Sequence, residues 1–162
     1  WCFFNWNQSN FRYLYKNFKI MAIYLDRVND KYLFELSNEN GHKVHLDRKY
    51  SPDYQVQGAS PMELLLMGVA GCSSIDIISI LEKQKLDPKS YKMEVEGERE
   101  SEPGRPYKRI HVKLLIEGEI PGDKIIRAAS LSFDKYCSVS KNLEKSTLIE
   151  HSIYLNGELI KK

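Results

Sequence analysis

Two thiols are the residues of this chain best suited to chemistry: Cys72, in Gly71-Cys72-Ser73-Ser74-Ile75-Asp76, and Cys137, in Lys135-Tyr136-Cys137-Ser138. A free cysteine inside a fold is by default a small hydrophobe. Two that meet can cycle between thiol and disulfide, with the thiolate as the reactive form. Asp76 follows Cys72 by four residues, about 400° of helix, so its carboxylate shares the thiol's face within one turn. A charge in an apolar helix needs a cation or donors around it, and beside a thiol it disfavours the thiolate. A nucleophilic Cys72 therefore calls for a basic neighbour. Arg27, Lys31, Arg48 and Arg105 are candidates that spacing alone does not rank.

Other chemistries find little support. His42, His45, His111 and His151 fall in strand-like segments without His-Glu-x-x-His or Cys-x-x-Cys spacing, so no metal site is expected. No phosphate-cradling glycine loop or Gly-x-Ser-x-Gly elbow occurs, so neither a nucleotide cofactor nor serine hydrolysis is expected.

The elements that must position the thiols read as follows. Strand patterns over 22–28, 32–37 and 42–47, separated by Asn-Asp and Asn-Glu-Asn-Gly turns, predict an antiparallel meander. Ser60-Pro61 followed by Glu63 predicts a capped helix start, and the apolar run to about Lys85 predicts a helix ending before Asp87-Pro88. It is apolar on nearly every face before Glu82, so it must be surrounded. Lipid does not suit as the surround, because the Glu63–Asp76 interval is too short for a span of about 20 residues and central carboxylates are costly there. A body of this size rarely wraps so long a helix, which predicts a partner subunit, with Gly68, Ala70 and Gly71 allowing close backbone approach. Alternation over 91–100 and 107–117 predicts a second antiparallel hairpin with one wet face. A second helix from Pro121-Gly122-Asp123 is predicted, in which Ile125, Ala129, Phe133 and Tyr136 to Cys137 recur at helical spacing, so that Cys137 faces the core beside Tyr136. A hairpin over 148–160, turning at Asn156-Gly157, closes the chain.

The 162 residues amount to one ordinary domain. Residues 1–20 stand apart, with eight of the eighteen aromatics, three basic residues and no acidic one. They are expected to be a non-native or disordered N-terminal extension, Met21 the natural start, and 21–162 a single domain. Without the extension the body has 21 basic against 22 acidic residues, which gives no field for nucleic acid or a membrane surface. Two body cysteines are too few for a secreted disulfide scaffold. With no recognisable signal segment, a cytoplasmic location is expected.

The stretch from Gly58-Ala59-Ser60-Pro61 through Gly71-Cys72-Ser73-Ser74-Ile75-Asp76 to Leu81, with Lys135-Tyr136-Cys137-Ser138-Val139 some 65 residues later, resembles the OsmC/Ohr family of bacterial thiol proteins, in particular its YhfA-like branch. The resemblance covers Met21 to Lys162. It implies an α+β fold: an intertwined homodimer whose antiparallel sheets wrap two central helices. It also implies a dithiol-dependent peroxidase serving the response to oxidative stress. In that scheme Cys72 attacks an organic or hydrogen peroxide, Cys137 resolves the sulfenic acid as a disulfide, and an external dithiol restores both.

The family's peroxidases also use an arginine and a glutamate around the reactive thiol. Their glutamate directly follows the helix-opening proline, where this chain has Met62. Glu63 stands one place later, about 100° round the helix and half a turn out of phase with Cys72. Glu63 and Asp76 are thus secondary site candidates beside Cys72 and Cys137. The alternative function is a non-catalytic redox-sensing or small-ligand-binding protein, whose thiols and Asp76 line a pocket for a small apolar molecule.

Overall fold

The computed structural model describes residues 21–162, and the expected extension over 1–20 lies outside them. The chain divides into two compact units, with the boundary between Ser60 and Pro61.

In the first unit, β1 (Ile23–Arg27), β2 (Phe34–Asn38) and β3 (Lys43–Leu46) form the expected antiparallel meander, with Leu25 opposite Leu36 and Leu36 opposite Val44. Its turns are fastened by side chains. Asn29 Oδ1 accepts from the amides of Lys31 and Leu33, and Asn38 Oδ1 accepts from those of Asn40 and His42. The loop after β3 closes on Asp47, which is 3% exposed. Asp47 accepts from the Tyr54 hydroxyl at 2.7 Å and from the amides of Gln57 at 2.9 Å and Arg48 at 2.7 Å.

The second unit begins with α1 (Pro61–Lys83), which starts at the proline expected of it. The β4 (Ser90–Arg99), β5 (Tyr107–Glu117), β6 (Leu148–Leu155) and β7 (Glu158–Lys161) strands make a sheet in that order. Ile110, Val112, Leu114 and Ile116 of β5 are buried at alternate positions. The other face is wet and carries the exposed pairs Glu94–Lys113, Glu98–Lys108 and Arg109–Glu150.

The α+β class agrees with the sequence reading, but the sheet is not wholly antiparallel: β5 and β6 run parallel, with Ile110 beside Ile149. The cause is the crossover between them. Thirty residues containing α2 (Gly122–Leu131), a π-helical turn (Ser132–Tyr136) and α3 (Ser138–Leu143) intervene, enough chain to return a strand in the same direction. The closing hairpin turns at Asn156-Gly157 as expected, both residues with positive φ, 51° and 86°.

Helix α1 buries one stripe only. Val69, Ser73, Ile77 and Leu81, spaced four apart, pack into a core with Ile110, Val112, Ile125, Ala128, Ala129 and Ile153. The opposite stripe stays uncovered in the single chain, with Met67 56% and Ile75 73% exposed and Gly71 open to solvent between them. By length and composition alone α1 could span a membrane, yet its buried stripe serves as core for β4 and α2. Gly68 does not face that open stripe: a methyl there would rest 3.5 Å from Val139 of α3.

Candidate functional site

The two thiols meet. Cys137 is fully buried and Cys72 half-buried, and the two are close enough for Cys72 to act on the Cys137 thiol. Burial pushes the Cys137 thiol up. Donation from the Ser140 hydroxyl and amide opposes this, and Cys72 pushes the thiol further up. Cys137 is thus biased towards its protonated form. Ser140 Oγ lies 3.1 Å and Ser140 N 3.5 Å from Cys137 Sγ.

The local chain explains this placement and corrects an expectation. The sequence reading carried one helix from Pro121 through Cys137. Instead α2 stops at Leu131 and widens into the π-helical turn, where the Cys137 amide bonds back to Ser132 O at 2.8 Å. The chain then leaves helical conformation at Cys137 (φ −66°, ψ 97°), whose sulfur caps the start of α3. π-turns inside helices are frequent at functional sites, and this one ends where Cys137 leaves helical conformation.

Asp76 is half-buried on the thiol face of α1, as its spacing from Cys72 required. Its carboxylate accepts from Ser132 Oγ at 3.2 Å, so the carboxylate is tied to the first residue of the π-turn. Beyond it a groove of about 560 Å³ runs between α1 and α2, lined among others by Asp76, Ile80, Lys83, Arg127, Leu131 and Tyr136. Lys83 and Arg127 are basic residues that sequence reasoning did not single out.

Glu63 lies nine residues before Cys72 on the same helix. It is exposed in the first turn of α1, and its charge acts on the Tyr107 hydroxyl, which burial and then that charge push up against the lowering effect of Arg99. Tyr107 donates to Met62 O at 3.1 Å.

The basic candidates named from sequence make the following contacts, that of Arg105 through its backbone alone. Arg27 donates to the carbonyls of Asp30 and Lys31, Arg48 lies 5.2 Å from the Tyr32 ring centre, Lys31 5.8 Å from that of Tyr50, and the carbonyl of Arg105 accepts from Arg99.

Ser140 and Phe133 also line a second cavity, of about 460 Å³, together with His151. That imidazole stacks on Phe133 at 4.7 Å, and its Nε2 accepts from Lys161 Nζ at 2.9 Å, while the same ammonium donates to Ser130 Oγ. Burial, and then the Lys161 charge, lower it to about 4, so it is neutral near pH 7. Among the described residues no three His, Cys, Asp or Glu side chains converge as a metal ligand set.

Comparison with known proteins places this geometry in context. The family described as OsmC-like protein matches residues 53–152. Protein YhfA of Escherichia coli (strain K12) is 37% identical over 114 residues, which are 70% of this chain and 82% of YhfA. A hypothetical protein from Aquifex aeolicus VF5 has the same fold, with a TM-score of 0.75 and 26% identity over 86% of this chain and 98% of its own. The OsmC like protein from Mycoplasma pneumoniae, at 18% identity, shares the fold with a TM-score of 0.71 over 85% of this chain and 97% of its own.

Proposed function

The chain belongs to the OsmC-like protein family, and on that premise we propose that it is a thiol peroxidase that reduces organic or hydrogen peroxide at the expense of a dithiol. The observation that carries the proposal is that Cys72 and Cys137 are close enough to act on each other, with the outer sulfur half-buried and the inner one fully buried.

Cys72, as its thiolate, attacks the distal oxygen of the hydroperoxide. The O–O bond breaks, the leaving alkoxide takes a proton to become the alcohol, and Cys72 is left as a sulfenic acid. Cys137 then attacks the sulfenic sulfur and expels water after protonation, closing the disulfide. The buried sulfur suits this second role, because peroxide does not reach it while the adjacent sulfur does. Two exchange steps with an external dithiol return both thiols and leave the dithiol oxidised.

The same reading assigns a homodimer and a reducing cytoplasmic setting. The bare Met67–Gly71–Ile75 stripe supports the dimer, since an apolar face on a central helix is costly in water.

The test is peroxide consumption by the purified chain with and without dithiothreitol. Consumption that depends on the dithiol and vanishes in Cys72→Ser is expected; full activity in Cys72→Ser overturns the proposal. A second reading, a redox sensor that oxidises without turnover, draws on Cys137 being held protonated. It predicts a single round of disulfide formation that dithiols reverse slowly.

A further inference from the structure

We infer that Asp76 is a positioning residue for the sulfur pair: through Ser132 it anchors the turn that delivers Cys137, and so sets how readily the Cys72–Cys137 disulfide closes. The inference rests on reading the two thiols as a working pair, and it gives Asp76 a part in that reaction.

The geometry is a ladder of two rungs between α1 and the π-helical turn. On α1, Cys72 and Asp76 are four residues apart on one face, about 6 Å along the axis. On the turn, Ser132 and Cys137 are five residues apart and joined by the backbone, Cys137 N donating to Ser132 O at 2.8 Å. One rung is the pair of sulfurs. The other is Ser132 Oγ, which lies 3.2 Å from Asp76 Oδ2 and 3.4 Å from Ser73 O. Ser132 is fully buried, and among the described residues both acceptors of its hydroxyl are on α1, so its one proton is committed to that helix. The Ser73 carbonyl lies inside α1, where the helix's own ladder already uses it. The Asp76 carboxylate is nearer and makes the stronger, charge-assisted bond.

Asp76 thus grips the side chain of a residue whose carbonyl grips Cys137. Slack at Ser132 passes to the sulfur through a single peptide hydrogen bond, at the point where the chain leaves helical conformation. A thiol held beside its partner acts on it at a high effective concentration, and loosening lowers that concentration without altering either sulfur. The rival role for Asp76 is its charge, which would act on the Cys72 thiolate directly. Asparagine tells the two apart, because it keeps an acceptor oxygen for Ser132 and lacks the charge.

The test is the equilibrium of the Cys72–Cys137 disulfide with reduced and oxidised glutathione, read by mass analysis of the full chain. Ser132→Ala, which is nearly isosteric, and Asp76→Ala should each lower the closure constant about tenfold, a reduction potential about 30 mV less negative. Asp76→Asn should stay within about threefold of the unsubstituted chain. Both alanines together should cost no more than either alone, since they remove the same bond. An unchanged constant in Ser132→Ala, additive losses in the double variant, or an asparagine as costly as alanine overturns the inference. Should Asp76→Ala lose its circular dichroism, Ser132→Ala and Asp76→Asn decide the matter. No peroxide enters this measurement. A chain that closes its disulfide as expected and consumes no peroxide would remove the peroxidase proposal and leave the role of Asp76.

Discussion

Ser140 reaches the sulfur of Cys137 twice, with its hydroxyl at 3.1 Å and its amide at 3.5 Å, so one residue supplies both donors of its own chain segment to the buried thiol. Both donors favour the thiolate, against burial and the neighbouring sulfur. Ser140→Ala removes the hydroxyl and leaves the amide. The Cys137 thiol should then rise further. The pH profile for closing the Cys72–Cys137 disulfide after a peroxide pulse should move to higher pH, while the first oxidation of Cys72 keeps its own profile. Quenched-flow alkylation with mass analysis measures both, and an unmoved closure profile counts against the role given to Ser140.

Oxidation should be ordered. With one equivalent of peroxide, the unsubstituted chain is expected to show an intrachain Cys72–Cys137 disulfide. Cys137→Ser should stop at a Cys72 sulfenic acid that a dimedone probe traps. A sulfenic acid trapped on Cys137 in Cys72→Ser at a comparable rate would reverse the roles.

Ile75 is 73% exposed on the bare stripe of α1, so Ile75→Glu costs the single chain little. The variant should keep its circular dichroism and lose its dimer mass in light scattering. A dimer of unchanged stability would move the interface elsewhere.

Gly97 of β4 lies beneath the Tyr107 ring, and a methyl group there would collide with it. Gly97→Ala should destabilise the second unit by about 1–3 kcal/mol through overpacking, seen as a lower urea midpoint. In the Tyr107→Leu background the same substitution should cost clearly less, since the two residues share one space.

The His151 ring is neutral when folded and takes a proton when unfolded as the pH falls below its ordinary 6.5. Its stabilising contribution is therefore complete above about pH 6.5, declines as the pH falls from there, and stops declining below about 4. With solvent screening of this partly exposed ring included, the loss is about 1–2 kcal/mol. Urea midpoints measured from pH 7 to 4.5 should show that slope, and His151→Gln should flatten it. The surrounding charges of Lys161, Asp134 and His111 remain in both proteins.

What the sequence made legible follows the range of each signal. Ser60-Pro61 marked the start of α1, Asn156-Gly157 the last turn, and alternation in β5 the buried face, because capping, turn geometry and pleating are decided within a few residues. The parallel pairing of β5 with β6 is decided by a thirty-residue crossover, which no local pattern records. Helix α3 went unread because a cysteine is not among the usual capping residues, and Phe133 four before Cys137 mimicked a continuing α-helix. The cysteine pair and Asp76 were legible as candidates by type and spacing. Ser140 was not, since its contact with the Cys137 sulfur arises only when the chain leaves the helix at Cys137 and starts α3. The one available hint was Ser138-Val139-Ser140 straight after the thiol, a run with more hydroxyls than a helix interior favours.

The turn Ser132–Tyr136 spends five residues where an α-helix would close its hydrogen bond in four. Removing a single residue from that span would restore ordinary helical pitch and swing all that follows by about 100°. The sulfur would then point away from Cys72, although every side chain named in the chemistry would still be present. The placement of the two sulfurs thus depends on a residue count as much as on residue identity, and a one-codon deletion there is expected to prevent the proposed disulfide while leaving both cysteines in the protein.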